Sequence, residues 1–175
     1  MSNINRYVTV AGVAVYAAPD GIVQEKPCAV DSEVTLATIS HPTTTINMMG
    51  SYDVADTANV ENVQVTISCQ SVEEAMELLK HETFVARFAM LTEDAATGLS
   101  DYTGFTVYFS GHVSSSGGGT AGVGSAADSN IVVNCSKYRL LQGDVELINI
   151  DRLRGTLVIM GVDKRSKLNK LLEGR

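Results

Sequence analysis

Apolar and polar residues alternate along much of the chain with the two-residue period that is typical of β-strands. The clearest example is Val60–Cys69, where Val63, Val65 and Ile67 fall on one side and polar residues lie between them. A strand of this kind buries one face and leaves the other in water. The same alternation predicts four more strands, at Tyr7–Ala17, Glu33–Ile39, Phe84–Thr92 and Thr103–Val113, with a weak strand or connector at Ile22–Val30.

The last third of the chain, Ile131–Arg175, is predicted to contain three apolar strands and a helix. Turn residues separate the strands at Gln142-Gly143-Asp144 and around Asp151-Arg152. A turn at Gly161-Val162-Asp163 leads to a short basic helix over about residues 163–173. The strands are apolar on both faces, so we expect a second sheet to cover one face and a helix or a neighbouring subunit to cover the other.

One further helix is predicted over about residues 71–81. It begins with a capping box, in which Ser71 accepts a hydrogen bond from the backbone of Glu74 and the Glu74 side chain reaches back. An apolar stripe at helical spacing follows, formed by Val72, Ala75, Met76 and Leu79. A helix with one apolar stripe in a β-rich chain is expected to lie against one face of a sheet.

Two polar segments interrupt the strands. The segment His41–Asn59 is Thr-rich, with only scattered apolar residues such as Ile46, Met48 and Met49. We interpret it as a projecting β-hairpin arm that packs on a neighbouring subunit, with an unstructured insertion as the alternative. The segment Ser114–Ser129 is rich in Gly, Ser and Ala, and is predicted to be a long flexible loop.

Composition and charge narrow the function. The 175 residues are predicted to form a single domain, and they carry 13 Lys and Arg against 20 Asp and Glu, a net charge of −7. An acidic chain does not grip the phosphate backbone, although it can surround DNA without binding it. Five of the basic residues and only two acidic ones lie in Asp163–Arg175. This basic tail indicates either a charge-matched contact with another subunit or a solvated helix end.

Residues that carry catalytic or ligand-binding chemistry are sparse. The cysteines are odd in number and widely spaced, the histidines are far apart in sequence, and neither group shows metal-ligand spacing: Cys28, Cys69, Cys135, His41, His81 and His112. The glycines of residues 117–124 precede a strand and no Lys follows them, so they do not form a phosphate-binding loop. Val8–Ala18 is apolar but is better explained as a strand than as a signal peptide, and no run reaches the ~20 residues of a membrane span. We therefore expect no catalytic, cofactor or metal site.

The residues of Ile131–Gly174 resemble the major tail tube protein family of contractile-tailed bacteriophages. The resemblance rests on Tyr138 and Leu140 in a strand, the turn Gly143-Asp144, the run Val145-Glu146-Leu147-Ile148-Asn149-Ile150-Asp151, then Gly161-Val162-Asp163 and a Lys/Arg-rich helix that ends in Leu171-Leu172. It covers about a quarter of the chain closely. The Gly-rich tip of the family's first long loop is reduced here to Met49-Gly50, and the Gly/Ser segment also differs.

The resemblance implies a mainly β fold, a β-sandwich or barrel with one flanking α-helix, a projecting hairpin arm and a short C-terminal helix. It implies a structural subunit whose hexameric rings stack into a hollow tube that conducts DNA and penetrates the cell envelope inside a contractile sheath. The implied partners are further copies of the chain, the tail sheath protein, and the baseplate and tail terminator proteins, in a virion tail assembled in the host bacterial cytoplasm. The implied subunit or ring contacts are Thr44, Ile46, Met48, Met49, Tyr52, Gly118 and Val123, with a basic C-terminal contact at Lys164, Arg165 and Lys167.

The residues leave three other functions open. A tube of a tailocin or of a secretion-type contractile injection system would use the same mechanics without DNA. A monomeric acidic β-sandwich that binds a basic partner is an alternative from another class. An enzyme is the third, although no nucleophile motif surrounds Cys69 or Cys135.

Overall fold

A computed structural model describes residues 6–47, 49–94, 97–117 and 129–174, and these residues are mostly in antiparallel β-strands. The strands are β1 (Arg6–Ala17), β2 (Ala29–Val30), β3 (Glu33–Thr35), β4 (Thr43–Asn47), β5 (Ser51–Ala55), β6 (Gln64–Cys69), β7 (Thr83–Asp94), β8 (Ser100–Ser116), β9 (Ser129–Gln142), β10 (Val145–Asp151), β11 (Thr156–Ile159) and β12 (Val162–Asp163). The helices are α1 (Val72–Leu78) and α2 (Ser166–Leu172), and Pro19–Gly21 forms a single 3₁₀ turn. The prediction of a mainly β fold with one flanking helix, a hairpin arm and a C-terminal helix is confirmed.

The long strand β9 organises the main sheet. It pairs with β8 along one edge; on the other edge its first half pairs with β6 and its second half with β10. The sheet therefore branches at β9, with one path through β10 to β12 and the other through β6 to β3. On the far side of β8 the order continues through β7 and β1 to β2.

The short strands β2 and β3 close the sheet at a corner around Asp31. Strand β2 pairs with β1 and β3 pairs with β6, although only Asp31 and Ser32 separate them. The Asp31 backbone N–H donates to the carbonyl of Val13 at 2.8 Å, and the Gln70 side chain donates to the carbonyl of Asp31 at 2.9 Å. Asp31 has a φ of 52°, a left-handed conformation that Asp tolerates better than most residues.

The core lies inside this curled sheet. Val63, Val65 and Ile67 are fully buried, as their alternation predicts. The rings of Phe84 and Phe109 stack with their centroids 5.4 Å apart, which joins β7 to β8 within the core. Other buried side chains come from all parts of the sheet: Val15, Val107, Ile131, Val133, Tyr138, Ile150 and Leu157.

Helix α1 covers the core with Ala75 and Leu79 of the predicted stripe and with Leu78, which the prediction did not include. Its capping box forms, since the Ser71 hydroxyl accepts from the Glu74 N–H at 3.2 Å and the Glu74 carboxylate accepts from the Gln70 N–H at 3.1 Å. The buried residues are Ala75 and Leu78, whereas Met76 is half exposed. The inclusion of Met76 was therefore wrong, because a helix of only two turns buries the i, i+3 pair and turns its next position outward.

Two strand boundaries differ from those that alternation predicts. Strand β3 ends at Thr35, and the apolar residues Leu36, Ala37 and Ile39 pack against the core without strand pairing. Their alternation reflects side-chain burial and not a backbone ladder. Strand β8 continues to Ser116, which pairs with Ile131, so the Gly/Ser segment begins inside a strand. The predicted contact residues Met48, Gly118 and Val123 lie outside the described residues.

Candidate assembly surfaces

The histidines and cysteines each sit in a separate environment. His41 Nδ1 lies 2.7 Å from the carbonyl of Asn59, His81 is 3.9 Å from the Glu77 carboxylate, and the exposed His112 is 3.6 Å from the Glu82 carboxylate. The three cysteines are free thiols. Over the described ranges no group of three or more His, Cys, Asp or Glu is arranged to hold a metal ion. Nor does any helix in those ranges combine the length and the apolar character needed to cross a membrane.

Two buried thiols and one buried phenol in the core predict a loss of stability at alkaline pH. Burial raises the pKa of the Cys69 and Cys135 thiols from 9.0 to about 11, and that of the Tyr138 phenol from 10.0 to about 12. The unfolded chain loses these protons first. The free energy of unfolding is therefore highest below pH 9 and falls as the pH rises towards 12. Each group contributes on the order of 1 kcal/mol for every pH unit that separates its folded and unfolded pKa, so three shifts of about two units give a total loss of several kcal/mol.

Urea denaturation between pH 8 and pH 12 measures this loss. Tyr138→Phe removes one of the titrating groups, so the fall in the free energy of unfolding above pH 10 should become shallower. Cys135→Ala should make the fall between pH 9 and pH 11 shallower in the same way. Slopes that are unchanged in both variants would show that these groups do not cause the effect.

The arm, residues 43–55, is an exposed two-stranded hairpin. Strands β4 and β5 pair only with each other among the described residues, and all ten of their residues are exposed. Residues that pair across an antiparallel ladder share a face. One face of the arm therefore carries the pairs Thr44–Val54 and Ile46–Tyr52, and the other carries the pairs Thr43–Ala55, Thr45–Asp53 and Asn47–Ser51.

The two faces of the arm differ in character. The first face, which we call the apolar face of the arm, leaves Tyr52 68% and Ile46 41% exposed. On the polar face the Thr45 hydroxyl donates to the Asp53 carboxylate at 2.6 Å. Met49 at the tip is fully exposed with a φ of 35°. An exposed hairpin with an apolar face fits the prediction of an arm that packs on something outside the chain.

The base of the arm is held firmly by hydrogen bonds. The Asp56 N–H donates to the carbonyl of Pro42 at 2.8 Å, and the Glu61 N–H donates to the carbonyl of Ser40 at 2.9 Å. The Asn59 side-chain amide donates to the Asp56 carboxylate at 2.6 Å, and this bond is the main reason that the Asp56 pKa is lowered. The guanidinium of Arg152 donates to the carbonyl of Val60 at 3.2 Å. The arm therefore projects from a fixed base.

The predicted basic contact at the C-terminus divides into packed and exposed residues. Arg165 is half buried beside Gly155, and the Asn169 amide next to it donates to the carbonyl of Gly155 at 3.2 Å, so α2 is anchored to the turn between β10 and β11. Lys164 and Lys167 are exposed. Together with Lys170, Leu171 and Leu172, which are also exposed, they form what we call the C-terminal patch.

A groove that no sequence pattern predicts lies at one end of the sheet. Strands β1, β7 and β8 extend past the core in register, with Val10 opposite Met90 and Met90 opposite Thr103. Their core-side face continues outward without cover, so Val8 and Val10 are 49% and 59% exposed. The resulting open groove of about 530 Å³ is lined by Val8, Met90, Thr92, Asp94, Leu99 and Asp101, and by Thr97, Thr103, Phe105 and Gln142. The register and length of three strands must be known together to find it, and no single stretch of sequence contains them.

The model of a known protein family matches most of the chain. The family described as phage tail tube protein FII matches residues 24–172, which include the arm, strands β2 to β12 and all of α2. A search of curated protein sequences gives no match.

Proposed function

The chain belongs to the phage tail tube protein FII family and is a structural subunit of a phage tail tube, and we propose that six copies form a ring, that rings stack into a hollow tube, and that the tube lies inside a contractile sheath. The observation that carries this proposal is the arm. It projects from a fixed base, and its apolar face, with Ile46 and Tyr52, has no cover within the described residues.

The arm is proposed to contact the neighbouring ring. Thr44, Ile46 and Tyr52 lie on its apolar face and Met49 lies at its tip, so these residues would enter the contact together. Full burial of a large apolar side chain stabilises an interface by about 1.5–3 kcal/mol. Contacts of this size, repeated in every subunit, are enough to favour stacking.

An unpaired sheet edge is a second observation in favour of the proposed ring. Strand β2 pairs with β1 only at Ala14 and Val15, so in the described structure no strand pairs with the outer edge of Arg6–Val10. Exposed edges invite pairing with another chain, and a closed ring hides them. The proposed ring therefore joins subunits at such edges.

The acidic surface fits a conduit for DNA. A net charge of −7 per copy disfavours adhesion of a polyanion to the lumen wall. We infer that DNA passes through without sequence-specific binding, and that the tube meets the sheath, baseplate and tail terminator proteins after assembly in the host cytoplasm. In this role the chain has a mechanical function and catalyses no reaction.

Electron microscopy of the purified full-length protein over a series of concentrations tests this proposal. We expect six-fold rings in negative stain at intermediate concentration and hollow tubes at high concentration, because each additional copy buries the exposed faces described above. A protein that sediments as a monomer at every concentration, with no rings on the grids, would contradict the proposal. Rings of another symmetry would contradict its stoichiometry alone.

A further inference from the structure

The open groove combines an apolar floor with acidic groups. Val8, Met90 and Phe105 form the floor, and Leu99 stands 72% exposed at its margin. Asp94 and Asp101 also line the groove. The turn that carries Asp144 lies beside it, since the Gly143 N–H donates to the carbonyl of Gly104 at 3.1 Å. A ligand for this groove should present apolar and positively charged groups close together.

The C-terminal patch has this combination. Lys167 and Lys170 are three residues apart on α2, and Leu171 is four residues from Lys167, so these side chains share one side of the helix. Leu171 and Leu172 are 76% and 73% exposed. Within the described ranges Lys164, Lys167 and Lys170 have no carboxylate within ion-pair distance. Lys164, Lys167 and Lys170 are exposed.

The arm is a poorer match to the groove. It has an apolar face, but the charged residue within its strands is Asp53, and Asp56 follows at its base. Insertion of the arm would bring like charges together, which costs several kcal/mol when they are close. Charge therefore favours the C-terminal patch.

The patch and the groove of one copy lie at opposite ends of the sheet. Strand β10 starts at Val145, close to Gln142 in the groove lining, and ends at Asp151, close to the turn that anchors α2. Seven residues of strand span roughly 20 Å. Two different surfaces at opposite ends of the sheet join copies head to tail, and such contacts close into rings when the rotation between copies permits.

We propose that the C-terminal patch of one copy docks in the open groove of a second copy of this chain. The contact rests on the proposed ring-forming function and defines one of its interfaces. Leu171 covers the apolar floor, and Lys167 and Lys170 meet the carboxylate of Asp101.

Charge exchange in the full-length protein tests the contact. Lys167→Glu with Lys170→Glu should raise the concentration needed for assembly about a hundredfold, because attraction becomes repulsion. Asp101→Lys alone should also weaken assembly. A chain that carries both Asp101→Lys and Lys167→Glu should assemble at a lower concentration than a chain that carries either change alone. The control, Lys26→Glu compared with Lys167→Glu alone, alters the net charge equally at an exposed lysine elsewhere and should leave assembly unchanged.

A cross-link distinguishes this contact from the wider proposal. Two differently tagged copies, one with Leu171→Cys and one with Leu99→Cys, both with Cys28→Ser, should form a mixed disulfide on oxidation. Tubes that form normally with neither cross-link nor charge effect would overturn the docking contact and leave the tube function intact. A wild-type chain that remains monomeric throughout would overturn both.

Discussion

The substitution Gly111→Ala is expected to destabilise the fold strongly. Gly111 lies in β8 beside a bulge in its pairing with β9, and its backbone N–H donates to the carbonyl of Glu82 at 3.0 Å. A Cβ added at Gly111 would lie 1.9 Å from the carbonyl oxygen of Asn134 and 2.9 Å from the Cα of Cys135. Both are backbone atoms of β9 and cannot turn aside as a side chain can. The two central strands must separate, so we expect a loss of about 3 kcal/mol or more in the free energy of unfolding.

Gly104→Ala is the matched control for this prediction. Gly104 lies in the same strand, but a Cβ added there would meet no atom within 4 Å. Replacement of a strand glycine by alanine removes backbone freedom from the unfolded chain, so this variant should be neutral or more stable by about 0.5 kcal/mol. Urea denaturation of both variants beside the wild type measures the difference. Equal stability of the two alanine variants would contradict the close approach of β8 and β9 at Gly111.

Short-range patterns predict most of the fold because each depends on neighbouring residues. Alternation locates Val63, Val65 and Ile67 in the core, and the capping box locates the start of α1 at Ser71. Where a pattern depends on what packs against it, the prediction is less accurate. Met76 fits the helical stripe yet is exposed, and Leu36 alternates as a strand residue does but lies outside β3. The exposure of Met76 follows from the short length of α1, and the burial of Leu36 follows from core residues in distant parts of the chain.

The arm and the open groove also differ in how far the sequence predicts them. The arm is predictable because a long polar segment between two strands of a compact domain is uncommon unless it has a function. The apolar face of the arm is not predictable, because Ile46 and Tyr52 share a face only in the register that pairs β4 with β5. The open groove requires three strands from separate parts of the chain, with Val10, Met90 and Thr103 brought side by side. A sequence pattern describes one strand at a time and does not show how that strand is aligned with its neighbours in the sheet.

Removal of the apolar side chains from the arm is expected to abolish tube formation while the fold is kept. In Ile46→Thr with Tyr52→Thr, β-branched threonines maintain the hairpin, but the large apolar surface of this cross-strand pair is lost. Both side chains are exposed in the single copy, so the free energy of unfolding should change by less than about 1 kcal/mol. Burial of both in the assembly would contribute about 3 kcal/mol per copy, which corresponds to a rise of more than a hundredfold in the concentration needed to form tubes.

The opposite face of the arm provides the control for this last prediction. Asn47→Thr with Ser51→Thr changes the adjacent cross-strand pair to the same residue on the polar face. It tests hairpin stability and tip geometry with almost no change in apolar surface, so tubes should form near the wild-type concentration. Sedimentation and negative-stain microscopy of both variants compare the two faces directly. If the two variants assemble alike, the apolar face of the arm does not make the ring contact; if only the polar-face variant fails, the contact lies on the other side of the hairpin, through Asn47 and Ser51.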